Sequence, residues 1–479
     1  MGLEPFKLAV NLLARRTKIL CTLGPASSSL KTIRALMDAG MDAVRLNFSH
    51  GNHESHRNLI DTVRQVADEK GLTVPIIQDL QGPRFRVDRL SGDRLDLKRG
   101  MEVTVTSGKG PRGLIHVRPE FSFRDVKVGH HVLIGDGGIR LRVKSRGRER
   151  LRCKVTAGGT VFQGKGISFP DSKSSLPSLT AKDRRDLRFG KSARVTYIAL
   201  SFVRKASDVA ELRRSIGAHD IGIISKIETR EALDEIDAIV DASDAVLVAR
   251  GDLASEVSIS RVPVAQKVII EKCNRKARPV ITATQMLESM ISNPQPTRAE
   301  ASDVANAVLD GSDTLMLSGE TAAGAYPVAA VKMMASIIRQ TEAAHLKSGI
   351  GASSPLTPEP EISETIAYVA ASAADNLGAS AIITFTMSGS TALRVAKFRP
   401  KVPIFAVTPS EATRLRLGIS HGTICGTVGR IGGTDQMIKA AINAARVARV
   451  VNKGDVVVVT AGVPPLTRGK TNILKIETV

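Results

Sequence analysis

The sequence predicts an α/β protein: a TIM-type (β/α)8 barrel, a small β-rich domain inserted after its third strand, and a C-terminal α/β domain. Three observations predict it. Eight short apolar runs alternate with amphipathic helical stretches. The third and fourth runs lie more than a hundred residues apart, far beyond an ordinary βα connection. A polar, proline-bearing stretch, KSGIGASSPLTPEPE, then separates this pattern from a second alternation of helix and strand. The expected bounds are residues 1–83 with 182–346 for the barrel, 84–181 for the insert, 347–361 for the linker and 362–479 for the last domain.

The eight runs are 19–23, 43–48, 75–80, 197–202, 222–228, 245–249, 279–284 and 314–318, all rich in Val, Ile and Leu. Helical spacing fills the gaps: Leu30, Ile33, Leu36 and Met37 close at Gly40, and Leu59, Val63 and Val66 close at Gly71, glycine standing just past the last turn.

Inside the insert, RLRVKSRGRERLRCKV predicts a hairpin turning near Gly147. Alternation puts Arg140, Arg142, Lys144, Arg150, Arg152 and Lys154 on one face, and Leu141, Val143, Leu151, Cys153 and Val155 on the other. A domain inserted beside the barrel mouth is placed to act as a lid. In the last domain, runs at 381–385, 403–407 and 456–460 are strand-like.

Composition narrows the class. Hydrophobic residues make up 42% of the chain, and no apolar run approaches the roughly 20 residues of a membrane span. The N-terminal stretch lacks the basic start and small-residue cleavage site of a signal peptide, so a cytoplasmic protein is expected. Cys21, Cys153, Cys273 and Cys425 stand far apart, which predicts four buried thiols rather than disulfides or a zinc site. The formal charge is +21, and residues 84–154 hold 19 basic and 8 acidic side chains, so the insert carries much of the excess. That excess raises nucleic-acid binding as a competitor. With 3% aromatic residues and no tryptophan to stack on bases, it is disfavoured.

Barrel chemistry is built where strands end. Here the runs terminate in Asn47, Ser49 and His50; in Asp79; in Lys226 and Glu228; in Arg250, Gly251 and Asp252; in Thr282 and Thr284; and in Ser318, Gly319 and Glu320. Alternate residues share a face, so Arg45, Asn47 and Ser49 point together, as do Lys226 and Glu228. A structural salt bridge alone would account for one such pair; several at one mouth point to a site. Glu228 and Asp252 offer the hard oxygen ligands that suit Mg²⁺, with Mn²⁺ as a substitute. Arg45 and Lys226 would supply the positive charge that phosphoryl transfer demands around the equatorial oxygens.

The strings RRTKILCTLGPAS, RLNFSHG, ISKIE, ARGDLASEV and TATQMLESM, with the stretch from Asn293 to Pro327, resemble the pyruvate kinase family. The resemblance runs from about Arg15 to the C-terminus. It implies transfer of a phosphoryl group from phosphoenolpyruvate to ADP in glycolysis. By matching motif it implies that Glu228 and Asp252 bind the metal and that Lys226 stabilises the transferring phosphoryl group and the enolate. Arg45 would bind the phosphate. Ala249, Gly251, Asp252 and Thr284 would hold the substrate, and Thr284 and Ser318 would stand on the path that protonates the enolate. Asn47, His50, Arg86 and Lys165 resemble nucleotide-binding positions. A homotetramer is the assembly the family suggests.

One departure concerns the monovalent cation. Many members read DTKGPEIR and hold K⁺ at the equivalents of Asn47, Ser49, Asp79 and the threonine. Here the string is DLQGPRFR. Leu80 has no hydroxyl, and Arg84 replaces a glutamate with a permanent cation. Arg84 is therefore expected to do the cation's work, making K⁺ unnecessary, unless it merely faces solvent.

In the last domain, TMSGSTALRVAKF gives small hydroxyl residues opening a helix, suited to a phosphate or serving as an ordinary N-cap. The family places a phosphorylated effector there, which would assign Thr386, Ser388, Gly389, Ser390 and Thr391 to it, with Arg468, Gly469 and Lys470 closing over. The remaining alternatives are another barrel enzyme handling phosphoenolpyruvate, which lacks this lid and third domain, and a non-catalytic or RNA-binding relative. The intact metal and lysine positions disfavour a non-catalytic one.

Overall fold

The computed structural model describes residues 15–88, 90, 94–107, 115–119, 122–135, 137–172, 176–349, 356–429, 433–463 and 471–479. Eight parallel strands close the barrel: β1 (Lys18–Leu23), β2 (Ala43–Asn47), β3 (Ile76–Asp79), β4 (Tyr197–Leu200), β5 (Gly222–Ile227), β6 (Ala245–Ala249), β7 (Val280–Ala283) and β8 (Thr314–Leu317). They pair in sequence order, with β8 returning to β1. Each coincides with one predicted run to within two residues.

The parallel strands are buried on both faces, which is why they read as continuous apolar runs. One set of side chains packs against the surrounding helices. The other, including Leu20, Ile77, Ile224, Leu247, Ile281 and Met316, fills the barrel interior. The helices end as their glycines require: Gly40 (φ 116°) and Gly71 (φ 63°) cap Leu30–Ala39 and His53–Lys70 in left-handed conformations, donating back to carbonyls of the last turn.

The insert forms a seven-stranded sheet and a two-stranded one around its own core, in which Phe123, Val105, Ile115 and Val132 are fully buried. Strands Ile139–Arg146 and Arg150–Ala157 make the predicted hairpin, closed by Gly147 N donating to Arg150 O at 2.7 Å. Leu141, Val143, Leu151, Cys153 and Val155 are buried, and Arg142, Lys144, Arg150, Arg152 and Lys154 are exposed on the opposite face.

The C-terminal sheet has five strands, β9 (Ala381–Phe385), β10 (Ile404–Thr408), β11 (Thr423–Thr427), β12 (Val456–Ala461) and β13 (Ile473–Thr478), in the order β11-β10-β9-β12-β13. Only β13 is antiparallel. β11 and β13 add to the three strands expected from sequence. This domain also reaches the barrel: Ile419, fully buried, joins the interior cluster, and its carbonyl accepts from Thr314 Oγ1 at 2.8 Å. All four cysteines are free and buried. Among the described residues no helix is long and apolar enough to cross a membrane.

Candidate active site

Register brings the polar strand ends together. Asp79 lies beside Asn47 of β2 on one side and Ala199 of β4 on the other, and Lys226 follows on β5. Arg45 Nε donates to Asp79 Oδ2 at 2.6 Å, and its Nη1 donates to Thr22 Oγ1 at 3.1 Å. Lys226 Nζ lies 2.9 Å from Glu228 Oε1 and 3.3 Å from Asp79 Oδ1, and it donates to Ser201 Oγ at 2.8 Å. Two cations and two carboxylates thus alternate across the mouth, nearly dry: the Lys226 side chain is 11% exposed and those of Asp79 and Glu228 1% each.

The electrostatics follow from that burial. Desolvation alone would lower the Lys226 ammonium, but Asp79 and Glu228 outweigh it and hold it above its ordinary value. Burial would raise the Asp79 carboxyl; Lys226 and Arg45 prevail and keep it below the usual carboxylate range. Glu228 goes the other way: burial, reinforced by Asp252 and opposed by Lys226, pushes its carboxyl up. Its second oxygen accepts from the amide of Phe202, a residue held at φ 55°.

Asp252 stands in the first turn of the helix Arg250–Glu256, directly after β6. Arg84 Nη2 lies 3.1 Å from its Oδ1, and the guanidinium sits 6.0 Å from the centre of the Phe202 ring. Arg84 is therefore engaged inside the cleft rather than turned to solvent. Glu228 and Asp252 present only carboxylate oxygens, a donor set that suits a hard divalent cation. No group of three or more acidic, His or Cys side chains is arranged for a metal among the described residues, so water and substrate oxygens would complete its shell. A cleft of about 260 Å³ between the inserted domain and the barrel is lined by Arg84, Gly166, Ser168 and Phe169 on one side and by Glu228 and Asp252 on the other.

Ala249 ends β6 and faces Ala283 across the pair β6–β7. The Gly251 amide donates to Thr284 Oγ1 at 2.9 Å, so two of the groups the resemblance assigns to the substrate satisfy each other. Ser318 Oγ is buried without a hydrogen-bond partner, while the Ser318 amide donates to Glu320 Oε2 at 2.7 Å. Thr282, placed at the mouth by the strand-end argument, instead bonds Ser312 Oγ at 2.7 Å within the barrel wall.

In the expected cation site, Asn47 Oδ1 accepts from the Ser49 amide at 3.1 Å, Asp79 is committed to Arg45 and Lys226, and Leu80 is a buried apolar side chain. His50 and Lys165 are exposed, and Arg86 Nη1 donates to Gly164 O at 2.9 Å.

At the effector position Gly389 (φ 91°) caps the helix Ser390–Lys397, Thr386 Oγ1 accepts from the Gly389 amide at 2.9 Å, and Ser388 Oγ donates to Ser390 Oγ at 3.2 Å. Thr391 is turned inward onto Thr471 at 2.6 Å. Arg468, Gly469 and Lys470 lie outside the described residues.

Sequence reasoning gave no role to Ser201, Phe202 or Arg250. Ser201 is the polar residue next to the end of the run 197–202, and that is the available signal. Only the fold shows that it joins Lys226 to Asp79.

Comparison with known proteins agrees with this geometry. The family profile described as "Pyruvate kinase, barrel domain" matches residues 14–331, and "Pyruvate kinase, alpha/beta domain" matches residues 364–477. The chain is 44% identical over 472 residues to the pyruvate kinase of Geobacillus stearothermophilus, covering 97% of this chain and 80% of that one. It is 42% identical over 471 residues to that of Clostridium acetobutylicum, covering 97% and 100%. The chain belongs to the pyruvate kinase family, a family of phosphotransferases.

Proposed function

We propose that the chain makes pyruvate and ATP from phosphoenolpyruvate and ADP without needing K⁺, and that the alternating charges at the barrel mouth carry the reaction. The observation that carries this reading is the buried set Arg45, Asp79, Lys226 and Glu228, which gathers two cations at the barrel mouth, where a phosphoryl group would bind. An ADP β-phosphate oxygen attacks phosphorus, the bond to the enol oxygen breaks, and the electron pair stays with the enolate. Lys226 and Arg45 offset the charge on the phosphoryl oxygens in a site too dry for water to screen them. Mg²⁺, or Mn²⁺, held by Glu228 and Asp252 would supply Lewis-acid charge to the same oxygens. Thr284 and Ser318 stand on the path that delivers a proton to C3; the otherwise unbonded Ser318 hydroxyl supports its place there.

Ala249, Gly251, Asp252 and Thr284 bind the substrate, and Asn47, His50, Arg86 and Lys165 the nucleotide. The lid, residues 84–181, closes over the catalytic barrel (1–83 and 182–346) and keeps water from the phosphoryl group. Residues 362–479 form a regulatory domain in which Thr386, Ser388, Gly389 and Ser390 receive a phosphorylated effector, Thr391 supporting them from within. A cytoplasmic homotetramer completes the reading.

K⁺ independence rests on two substitutions. Leu80 takes a hydroxyl out of the cation site, and Arg84 brings a fixed charge to Asp252 at 3.1 Å. The test is pyruvate formation with Mg²⁺ in potassium-free buffer and again with K⁺ added. Equal rates support both the reaction and Arg84's role. Activity only with K⁺ discards Arg84, and none in either buffer, with or without sugar phosphates, discards the enzyme.

A further inference from the structure

We propose that Arg250 is a positioning residue for the protonation step, its guanidinium holding the backbone turn 283–285 so that the Thr284 hydroxyl faces the substrate. This rests on the reading that Thr284 lies on the proton path.

The turn does not hold itself. Thr284 (φ 68°) and Gln285 (φ 53°) are consecutive non-glycine residues in left-handed conformations, and Thr284 is β-branched, which makes the position unfavourable. Such a conformation persists only where neighbours impose it. Arg250 does so from the adjoining strand end. Its Nε donates to Ala283 O and to Thr284 O at 3.2 Å each, and its Nη2 donates to Thr284 O at 2.6 Å and to Gln285 O at 3.2 Å. One planar side chain thus binds three successive carbonyls. The next residue completes the hold, since the Gly251 amide donates to Thr284 Oγ1 at 2.9 Å.

Arg250 is itself fixed from behind. Its Nη1 lies 2.8 Å from Asp303 Oδ2 and 2.9 Å from Oδ1, and its side chain is 10% exposed. With its charge met by Asp303, Arg250 acts through orientation rather than as a charge offered to the phosphoryl group. Lysine would keep the charge and lose the fork that reaches three acceptors.

In the step concerned, the enolate's C=C electron pair forms a C–H bond at C3 with a proton passed through Thr284, the enolate oxygen becomes the ketone oxygen, and water restores the proton. Its reverse is exchange of pyruvate methyl protons with solvent, which isolates this step from phosphoryl transfer.

The experiment compares Arg250→Lys, Thr284→Val and the wild type in the full chain. The readouts are kcat, KM for phosphoenolpyruvate, melting temperature, and deuterium uptake into pyruvate with Mg²⁺ and ATP in D₂O. Arg250→Lys is expected to lower kcat and exchange together by about 100-fold with KM and melting temperature nearly unchanged, the cost of a misplaced catalytic group. Loss of exchange in Thr284→Val alone, with Arg250→Lys exchanging normally, overturns the role of Arg250 and leaves that of Thr284. Normal exchange in Thr284→Val overturns the underlying reading as well. A rise in KM together with a fall in kcat and in melting temperature makes Arg250 merely structural. Should Arg250→Lys not fold, Asp303→Asn frees the guanidinium to turn and is expected to give a smaller loss with the same separation of kcat from KM; an unchanged kcat there overturns the proposal.

Discussion

Arg84 and Asp252 form an ion pair across the cleft, Nη2 to Oδ1 at 3.1 Å, joining the root of the inserted domain to a proposed metal ligand. A permanent cation there does two things: it offsets the carboxylates at the mouth, and it ties the start of the inserted domain to the barrel. Arg84→Glu reverses the charge beside Asp252 and Glu228. The expected result is a loss of kcat of about 100-fold in potassium-free buffer, partly recovered by K⁺. Equal activity of variant and wild type without K⁺ would remove Arg84 from the mechanism.

Lys226 is the buried cation shared by Asp79, Glu228 and Ser201. Lys226→Met keeps the length of the side chain and deletes the charge. Because that charge is needed most as the phosphoryl group is in flight, kcat is expected to fall by about 100- to 1000-fold with a much smaller change in KM. Glu228, left without its cation, and Asp79, left with Arg45 alone, also lower the melting temperature. Steady-state kinetics beside a thermal melt separates the two effects, and a rise in KM with kcat retained would make Lys226 a binding residue only.

The barrel was legible because parallel strands buried on both faces leave continuous apolar runs, and a charged pair such as Lys226 and Glu228 within one is conspicuous. The strand-end argument fails where the strand stops: Thr282 lies within β7 and bonds Ser312 in the wall, whereas Thr284 follows it in a left-handed conformation, where strand alternation no longer applies. β11 escaped notice because TICGT is short and carries Gly426, and β13 because ILKIET is a half-exposed edge strand without a full apolar run. Ser201 and Arg250 act through partners that only register and helix placement bring near. A serine after an apolar run, or an arginine at a helix start, looks the same when it has no such partner.

Glu256 gives a pH dependence that needs no catalysis to observe. Burial, reinforced by Glu231 and Asp252 and opposed by the Arg230 amide and the Ser168 hydroxyl, pushes its carboxyl up to about 7. Between roughly pH 4.5 and 7 the folded chain keeps a proton the unfolded chain gives up, so this group's contribution falls as pH rises through that window. Above it the full penalty stands, about 3 kcal/mol at most. Glu256→Gln is therefore expected to be more stable than the wild type at pH 8 and not at pH 4.5, measured by denaturant midpoints. An equal difference at both pH values would refute the titration.

Ile419 closes the lower end of the barrel from the C-terminal domain, and Tyr197 Oη donates to Arg416 O at 2.8 Å beside it. Ile419→Ala leaves a cavity under the interior layer and is expected to cost about 2–5 kcal/mol. If the two domains unfold as one unit, a single denaturant transition shifts. If the barrel transition alone stays in place, Ile419 packs with its own domain only.

The basic face of the lid hairpin costs the fold something, because Arg142 lies opposite Lys154 on one neighbouring strand and His131 on the other. Such a field acts on anions before they bind, and salt screens it over about 8 Å at physiological ionic strength. Both proposed substrates are polyanions. If the face steers them, kcat/KM for ADP falls as salt rises, while kcat, set after binding, hardly moves. The triple variant Arg142→Glu, Arg152→Glu, Lys154→Glu should then flatten the salt dependence and lower kcat/KM about tenfold at low salt, with kcat retained. An unchanged salt profile would assign the face to solvent, where its charges serve solubility alone.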